Sequence, residues 1–404
     1  MADDGASRGE GAAAGAGRGG GAAAGALTIA YVVGARPNYV KTAPVVRALH
    51  HRLPEARHIV INTGQHYDRE MAEIFFEELE LGKPAYELGV GSGAHGAQTA
   101  KALERIEEVL LQERPDALLV PGDVNSTLAG ALAAAKLGIP VGHIESGLRC
   151  YDRTMPEELN RLLTDQLSEW LFTHSPEALA NLEREGIPAE RVHLVGNTMI
   201  DTLKAIRPRV EHSRIHASLG IEPGGYCLVT LHRPVLVDGP LLPRALAALT
   251  RLAATMPVVF PMHPRTRARL GETLPEVPGL TITGPVGYVD FLALELRARC
   301  VVTDSGGVQE ETTSLGVPCF TLRANTERPV TVTQGTNRLL GLAPEEIDRV
   351  PQLLAEAAGR PVPPQPEGWD GHAAERLAEI LARDLEARAT TGRATTGRAT
   401  PAGA

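Results

Sequence analysis

Cysteine, aromatic side chains and long apolar runs are all scarce in this chain, and each shortage removes a class of protein. The 404 residues hold four cysteines, Cys150, Cys227, Cys300 and Cys319, none of them in a CxxC pair. That spacing offers no zinc knuckle and no disulfide framework. Three of the four fall at or within apolar runs that read as strands, so reduced thiols in the cytoplasm are expected. Aromatics make up 4% of the residues, too few for a base-stacking platform. No apolar stretch approaches the ~20 residues needed to cross a bilayer. The formal net charge of −9 argues against a nucleic-acid surface, while leaving room for a local cationic pocket. Neither nucleic acid nor membrane is an expected partner.

What is abundant is alternation. Residues 1–26 are Gly/Ala-rich and lack the compact apolar segment of a targeting signal, so they read as a disordered extension. From Arg388 the chain repeats Arg-Ala-Thr-Thr-Gly, and residues 388–404 read as a disordered tail. Between them, short β-branched runs alternate with Ala/Leu-rich helical stretches. Leu27–Gly34, His58–Thr63, Ala117–Val120, Val141–Ile144, Trp170–Thr173 and Val192–Val195 read as strands of one sheet. Tyr226–Thr230, Val258–Met262, Leu280–Thr283, Cys300–Thr303 and Pro318–Leu322 read as strands of another. Runs that are apolar on both faces, with helices between, predict α/β architecture with parallel sheets covered by helices. The expectation is two doubly wound, Rossmann-like domains, 27–205 and 206–370, with a linker near Ile206–Gly220. A final helix over 371–387 is expected to fold back on the first domain.

In such sheets ligands meet the residues that follow the strands. The most informative of these segments is Val301-Val-Thr-Asp-Ser-Gly-Gly-Val-Gln-Glu-Glu311, where an apolar strand ends at Asp304 and a Ser-Gly-Gly turn opens a helix. A turn of that kind presents backbone N–H groups to a phosphate. Other strand ends carry Gly34-Ala-Arg-Pro-Asn-Tyr-Val-Lys41, Thr63-Gly-Gln-His66, Gly122-Asp123, His143-Ile-Glu145, Leu231-His-Arg-Pro234 and Pro261-Met-His-Pro264. Pro156-Glu-Glu-Leu-Asn-Arg161 opens a further helix. Taken singly, each has a plainer reading. Asp123 serves equally as a helix N-terminal acid, and Glu157 as a first-turn residue paired with Arg161 at i+4. His143 suits a satisfied core position, and His232 a surface one. Tyr288 and Phe291 read as core aromatics or as a base-stacking pair. It is the convergence of carboxylates, histidines and cations on one edge of two facing sheets that points to chemistry.

These motifs, together with Val195-Gly-Asn-Thr198 and Thr326-Glu-Arg-Pro329, resemble the non-hydrolysing UDP-N-acetylglucosamine 2-epimerase family from about Ile29 to Leu342. The resemblance implies a GT-B-like fold whose two domains face a central cleft, a UDP-sugar substrate, no cofactor, no metal and a homodimer. It implies that Ser305, Gly306, Gly307 and Arg36 hold the diphosphate and that Glu311 takes the ribose. Uracil would lie between the backbone near Val286 and the ring of Phe291. Asp123, Glu145, Glu157 and His232 would form the catalytic set, with Lys41 and Arg328 also at the sugar.

The implied reaction inverts C2 of UDP-GlcNAc to give UDP-ManNAc. The C2 hydrogen is not beside a ketone, so simple deprotonation would be slow; loss of UDP from C1 as C2 is deprotonated avoids a free carbanion and leaves 2-acetamidoglucal. Donors on the diphosphate and several tuned carboxylates suit that route. A hydrolysing relative, an epimerase of a modified UDP-sugar and a GT-B glycosyltransferase are the alternatives. Two departures stand out: Gly34-Ala-Arg-Pro replaces the commoner Gly-Thr-Arg-Pro, and Pro234-Val-Leu-Val-Asp follows His232-Arg233 where Glu-Asn or Ser-Asn is usual. Tyr67-Asp68 and the arginine-free Gly89–Gln98 predict weak or absent activation by a second UDP-GlcNAc molecule.

Overall fold

Two all-parallel sheets, one of seven strands and one of six, carry the described residues. The computed structural model describes residues 26–64, 76–262, 264–270, 277–359 and 361–396; Gln65, His66, Tyr67, Asp68 and His263 lie outside them. The first sheet has β1 (Thr28–Val33), β2 (Arg57–Asn62), β3 (Tyr86–Glu87), β4 (Ala117–Pro121), β5 (Val141–Ser146), β6 (Trp170–Thr173) and β7 (Val192–Leu194). Their order is β3-β2-β1-β4-β5-β6-β7. The second has β8 (Cys227–Thr230), β9 (Val258–Pro261), β10 (Leu280–Thr283), β11 (Cys300–Thr303), β12 (Cys319–Thr321) and β13 (Asn337–Leu339), in the order β10-β9-β8-β11-β12-β13. This is the GT-B-like pair of Rossmann-like domains. In each sheet the direction of winding reverses once, between β1 and β4 and between β8 and β11. Such reversals open a crevice at the carboxyl ends of the strands. Gly34–Arg36 and Gly122-Asp123 flank the first crevice; His232 and Ser305 flank the second.

The eleven expected strands are present, with ends shifted by a residue or so. β3 and β13 were not expected. A two-residue strand has no period to read, and Asn337-Arg-Leu339 is too polar to register as a buried run. The segment Ile206–Gly220, expected as a linker, is mostly helical: Thr198–Glu211 runs through Pro208, and Ile215–Leu219 follows. The first of these helices packs on Arg36–Arg52 of the first domain and on Tyr288–Leu296 and Gly306–Leu315 of the second.

Ala373–Thr396 is one helix that continues past Ala387, where the sequence suggested an end. Arg388 explains the extra length, pairing with Glu169 at 2.5 Å and lying 5.0 Å from the centre of the Trp170 ring. This helix packs on Arg36–Arg52, with Arg52 bridging to Glu379 and Glu386. Its Leu377, Leu381 and Leu385 share one core with Ile29, Tyr31 and Phe172, each stabilising the fold by roughly 1.5–3 kcal/mol. Asp201 accepts the backbone N–H groups of Ala373 and Ala374, at 3.2 and 2.6 Å, and so anchors the start of the helix. All four cysteines are buried and free. No helix among the described residues is long and apolar enough to cross a membrane.

Candidate active site

Glu145 is the residue most unlike its surroundings. It follows Ile144 at a register shift between β5 and β6, and its φ is +68°, a left-handed conformation rare for any side chain but glycine. A bulge at a strand end turns a side chain out of its regular alternation, and strain of this kind gathers at functional sites. The bulge delivers the Glu145 carboxylate, 6% exposed, to two cations from different domains. Lys41 meets Oε2, and Arg328 Nη2 donates to Oε1 at 2.9 Å. Burial alone would raise this carboxyl's pKa, but Lys41 and Arg328 outweigh it and hold the group below the usual carboxylate range.

The Gly122-Asp123 turn lies beside this pair. Gly122 has a φ of +64°, and a Cβ there would stand 3.3 Å from Lys41 Nζ and 3.5 Å from Glu145 Oε2. His143, fully buried, is the satisfied core residue that its strand position suggested. Its Nδ1 is 2.6 Å from Asp165 Oδ1 and its Nε2 2.7 Å from the Gly122 carbonyl. Asn38 donates to the Pro121 carbonyl and Asn160 to that of Asp123. The turn is therefore pinned from three sides, and the Asp123 carboxylate pairs with Arg161.

The helix Pro156–Leu167 turns polar side chains inward. Glu158, Arg161 and Asp165 are buried, whereas Leu159 and Leu163 are 39% and 52% exposed. Arg161 pairs not with Glu157 at i+4 but with Glu158, at 2.5 Å, and with Asp123. Glu158 also accepts the backbone N–H groups of Cys150 and Tyr151. Glu157 is half-buried at the helix start, and its neighbour holds the network that the sequence suggested for it.

On the second sheet, β8 and β11 lie side by side with Thr230 opposite Thr303, so His232 and Asp304 meet just beyond their ends. Asp304 is fully buried and accepts the backbone N–H groups of His232 and Arg233. His232 Nδ1 is 3.1 Å from its Oδ1, which leaves Nε2 as the nitrogen for a ligand. Burial raises the Asp304 pKa, but His232 and these N–H groups lower it further, to a net position below the usual range. Ser305 caps the helix Gly306–Leu315. A Cβ on Gly306 would stand 2.5 Å from Arg328 Nη1 and 2.9 Å from Glu327 Oε1, so only glycine lets the turn pass this close to the Arg328 segment.

Arg328 joins the two halves. Besides Glu145 it reaches Glu310, with Nε 3.1 Å from Oε1, and it pairs with Glu327, which Arg323 also holds at 2.6 Å. A separate cluster forms where the helix Tyr288–Leu296 begins. The Arg36 guanidinium lies 5.8 and 5.6 Å from the ring centres of Tyr288 and Phe291, an arrangement that favours the cation. Phe291 is buried, with Val286 packed on the same core. Tyr288 Oη donates to Glu311 at 2.8 Å. Burial and Glu311 push the Glu295 carboxyl well above the usual range, with Arg36 opposing them.

Asp123, Glu145, Lys41 and Arg328 are thus brought together. His232 and Ser305–Gly307 lie along the adjoining strand ends, and Arg36, Phe291, Val286 and Glu311 gather in the neighbouring cluster. The sequence did not single out Glu158, His174, Asp304 and Glu310 in these roles, nor Glu327. Glu145, His174 and Glu310 place ligand atoms within 4.8 Å of one another, as a metal site would. Lys41 and Arg328 already stand against those carboxylates, and two fixed cations there disfavour a third.

A crevice between two such sheets, lined by paired carboxylates and a glycine-opened helix, defines a nucleotide-sugar enzyme of the GT-B class. The family model described as UDP-N-acetylglucosamine 2-epimerase matches residues 48–382, and the chain belongs to that family. The UDP-N-acetylglucosamine 2-epimerase of Methanocaldococcus jannaschii is 42% identical over 88% of this chain and 99% of its own. Its crystal structure in complex with UDP-GlcNAc and UDP matches with a TM-score of 0.82, covering 88% of this chain and all of the other, at 41% identity. The UDP-2,3-diacetamido-2,3-dideoxy-D-glucuronate 2-epimerase of Pseudomonas aeruginosa is 40% identical, over 88% of this chain and 100% of its own.

Proposed function

We propose that this chain interconverts UDP-N-acetylglucosamine and UDP-N-acetylmannosamine by inverting C2, without releasing free sugar. The observation that carries the reading is Glu145, strained, buried and kept ionised beside the turn that bears Asp123. One of these carboxylates takes the C2 proton as the C1–O bond breaks. The C–H electron pair becomes the C1=C2 bond, and UDP leaves with the pair of the broken bond. UDP then re-adds at C1 while a second acid returns a proton to the opposite face of C2. Asp123 and Glu145 are assigned the proton transfers, with Glu157 and His232 completing the set. Ser305, Gly306, Gly307 and Arg36 would steady the diphosphate. Glu311 would take the ribose, Val286 and Phe291 the base, and Lys41 and Arg328 the polar face of the sugar. A relative of 41% identity solved with UDP-GlcNAc and UDP supports the choice of ligand. A cytoplasmic homodimer is the expected form.

Incubation with UDP-GlcNAc in D2O tests the reading: deuterium should enter C2 and UDP-ManNAc should accumulate. Substrate recovered without exchange would sink it, and free N-acetylmannosamine with UDP in the NMR spectrum would make the enzyme a hydrolysing one. A second reading, a UDP-sugar modified at C3 or C6, is favoured by the helix Pro234–Val237, where Val235 is 53% exposed beside His232. The uronate-specific relative is nearly as similar as the others. Turnover of the diacetamido uronate in preference to UDP-GlcNAc would decide for it.

A further inference from the structure

His174 is the first residue after β6, far in sequence from every motif above, yet it closes a buried chain of charges that ends at Glu145. Its side chain is 2% exposed and its Nε2 stands 3.0 Å from Glu310 Oε1, the same oxygen that Arg328 Nε approaches at 3.1 Å. Arg328 in turn donates to Glu145. The ring is held edge-on to Trp369, with centres 5.9 Å apart, and Trp369 Nε1 donates to the His174 carbonyl at 3.0 Å. His174 Nδ1 is buried without a hydrogen-bond partner, so the tautomer with its hydrogen on Nε2 is the one that suits the site.

Resting on the epimerase reading, we propose that His174 is a positioning residue for catalysis: by engaging Glu310 it leaves Arg328 free to hold Glu145 in its productive orientation. The reasoning is one of competition. Arg328 faces three buried carboxylates, those of Glu145, Glu310 and Glu327. Arg323 shares Glu327, Lys41 shares Glu145, and His174 is the partner that shares Glu310. Remove that partner and Glu310 is left with Arg328 alone. The guanidinium is then drawn away from Glu145, and a small displacement of a catalytic carboxylate costs turnover steeply. The ligand itself touches none of this.

The test compares variants of the full-length enzyme by C2 deuterium incorporation, UDP calorimetry and thermal unfolding. H174L keeps an apolar contact for Trp369 but removes the N–H. It should lower kcat by about 10- to 100-fold while KM and UDP affinity stay within about threefold. H174Q, whose amide reaches the place of Nε2, should recover part of the loss, and H174N, whose amide falls short, should not. Neutralising the competitor should abolish the effect, so E310Q/H174L should turn over no more slowly than E310Q. Unchanged kcat in H174L would overturn the proposal, as would additive losses in the double variant, or equal turnover of H174Q and H174N. Should H174L not fold, the H174Q and H174N pair decides alone. If the wild-type enzyme shows no exchange, it is the epimerase reading that fails.

Discussion

The carboxyl ends of the two sheets are built in opposite ways. Those of the first sheet carry ionised side chains locked into pairs: Lys41 with Glu145, and Arg161 with Asp123 and Glu158. Those of the second offer backbone, with Asp304 gripping two N–H groups and a Ser-Gly-Gly turn opening a helix. Paired charges can be tuned as acids and bases, whereas backbone donors fit an anion and do not titrate. One fold, used twice, supplies proton chemistry from one copy and an anion cradle from the other.

The sharpest way to break this contrast is Glu145→Gln. Turnover should fall by about 10²- to 10⁴-fold with UDP affinity little changed; near-normal turnover would remove Glu145 from the chemistry. Glu157→Gln should cost much less, since Glu158 holds the buried contacts. Asp304→Asn should lower turnover by about tenfold, a cost of about 1.4 kcal/mol, by loosening His232. A normal rate would reduce that pair to a structural one. Ser305→Ala and Arg36→Ala should each weaken UDP by about five- to tenfold in calorimetry, and unchanged affinity in both would move the nucleotide elsewhere.

Acid stability gives a quieter test. Asp165, buried, would be raised by burial, but His143 and Arg149 bring it below its ordinary 3.8. A depressed carboxylate contributes stability that is fully present above its unfolded pKa and is lost as pH falls through the folded one. Melting temperature should therefore drop as pH goes below about 4, and less steeply in Asp165→Asn. The smallest effect concerns a second UDP-GlcNAc molecule. Gly89–Gln98 contains no arginine, yet Lys101 and Arg105 reach back to the carbonyls of Val90 and Leu88, so they are occupied there. Reaction begun from pure UDP-ManNAc should proceed without added UDP-GlcNAc; a strict requirement for it would reverse this expectation.

Much of this was legible in the chain because strand ends in a parallel sheet are easy to find. Apolar runs marked eleven strands, and what followed them was the site. The nature of Glu158 was harder to see, since Pro-Glu-Glu reads as an ordinary helix start. The clue lay in the neighbours: Leu159 and Leu163 point outward on a helix whose buried face is charged, the reverse of a surface helix. Asp304 could have been paired with His232 only by knowing that β8 and β11 are adjacent, which is a fact of sheet order. Glu310 and His174 meet across the two domains, and local patterning carries no trace of such a contact.

The polypeptide passes between the domains twice. It leaves the first through Thr198–Glu211 and reaches the second at Ser213, which donates to Asp290 at 2.6 Å. It returns between Gln365, bonded to Ser314, and Trp369, bonded to His174. A body attached at one point can swivel freely, but one attached at two turns about the line that joins them. Any opening of the cleft is thereby reduced to a single rotation, so that one angle measured in solution would describe the whole excursion of one domain against the other.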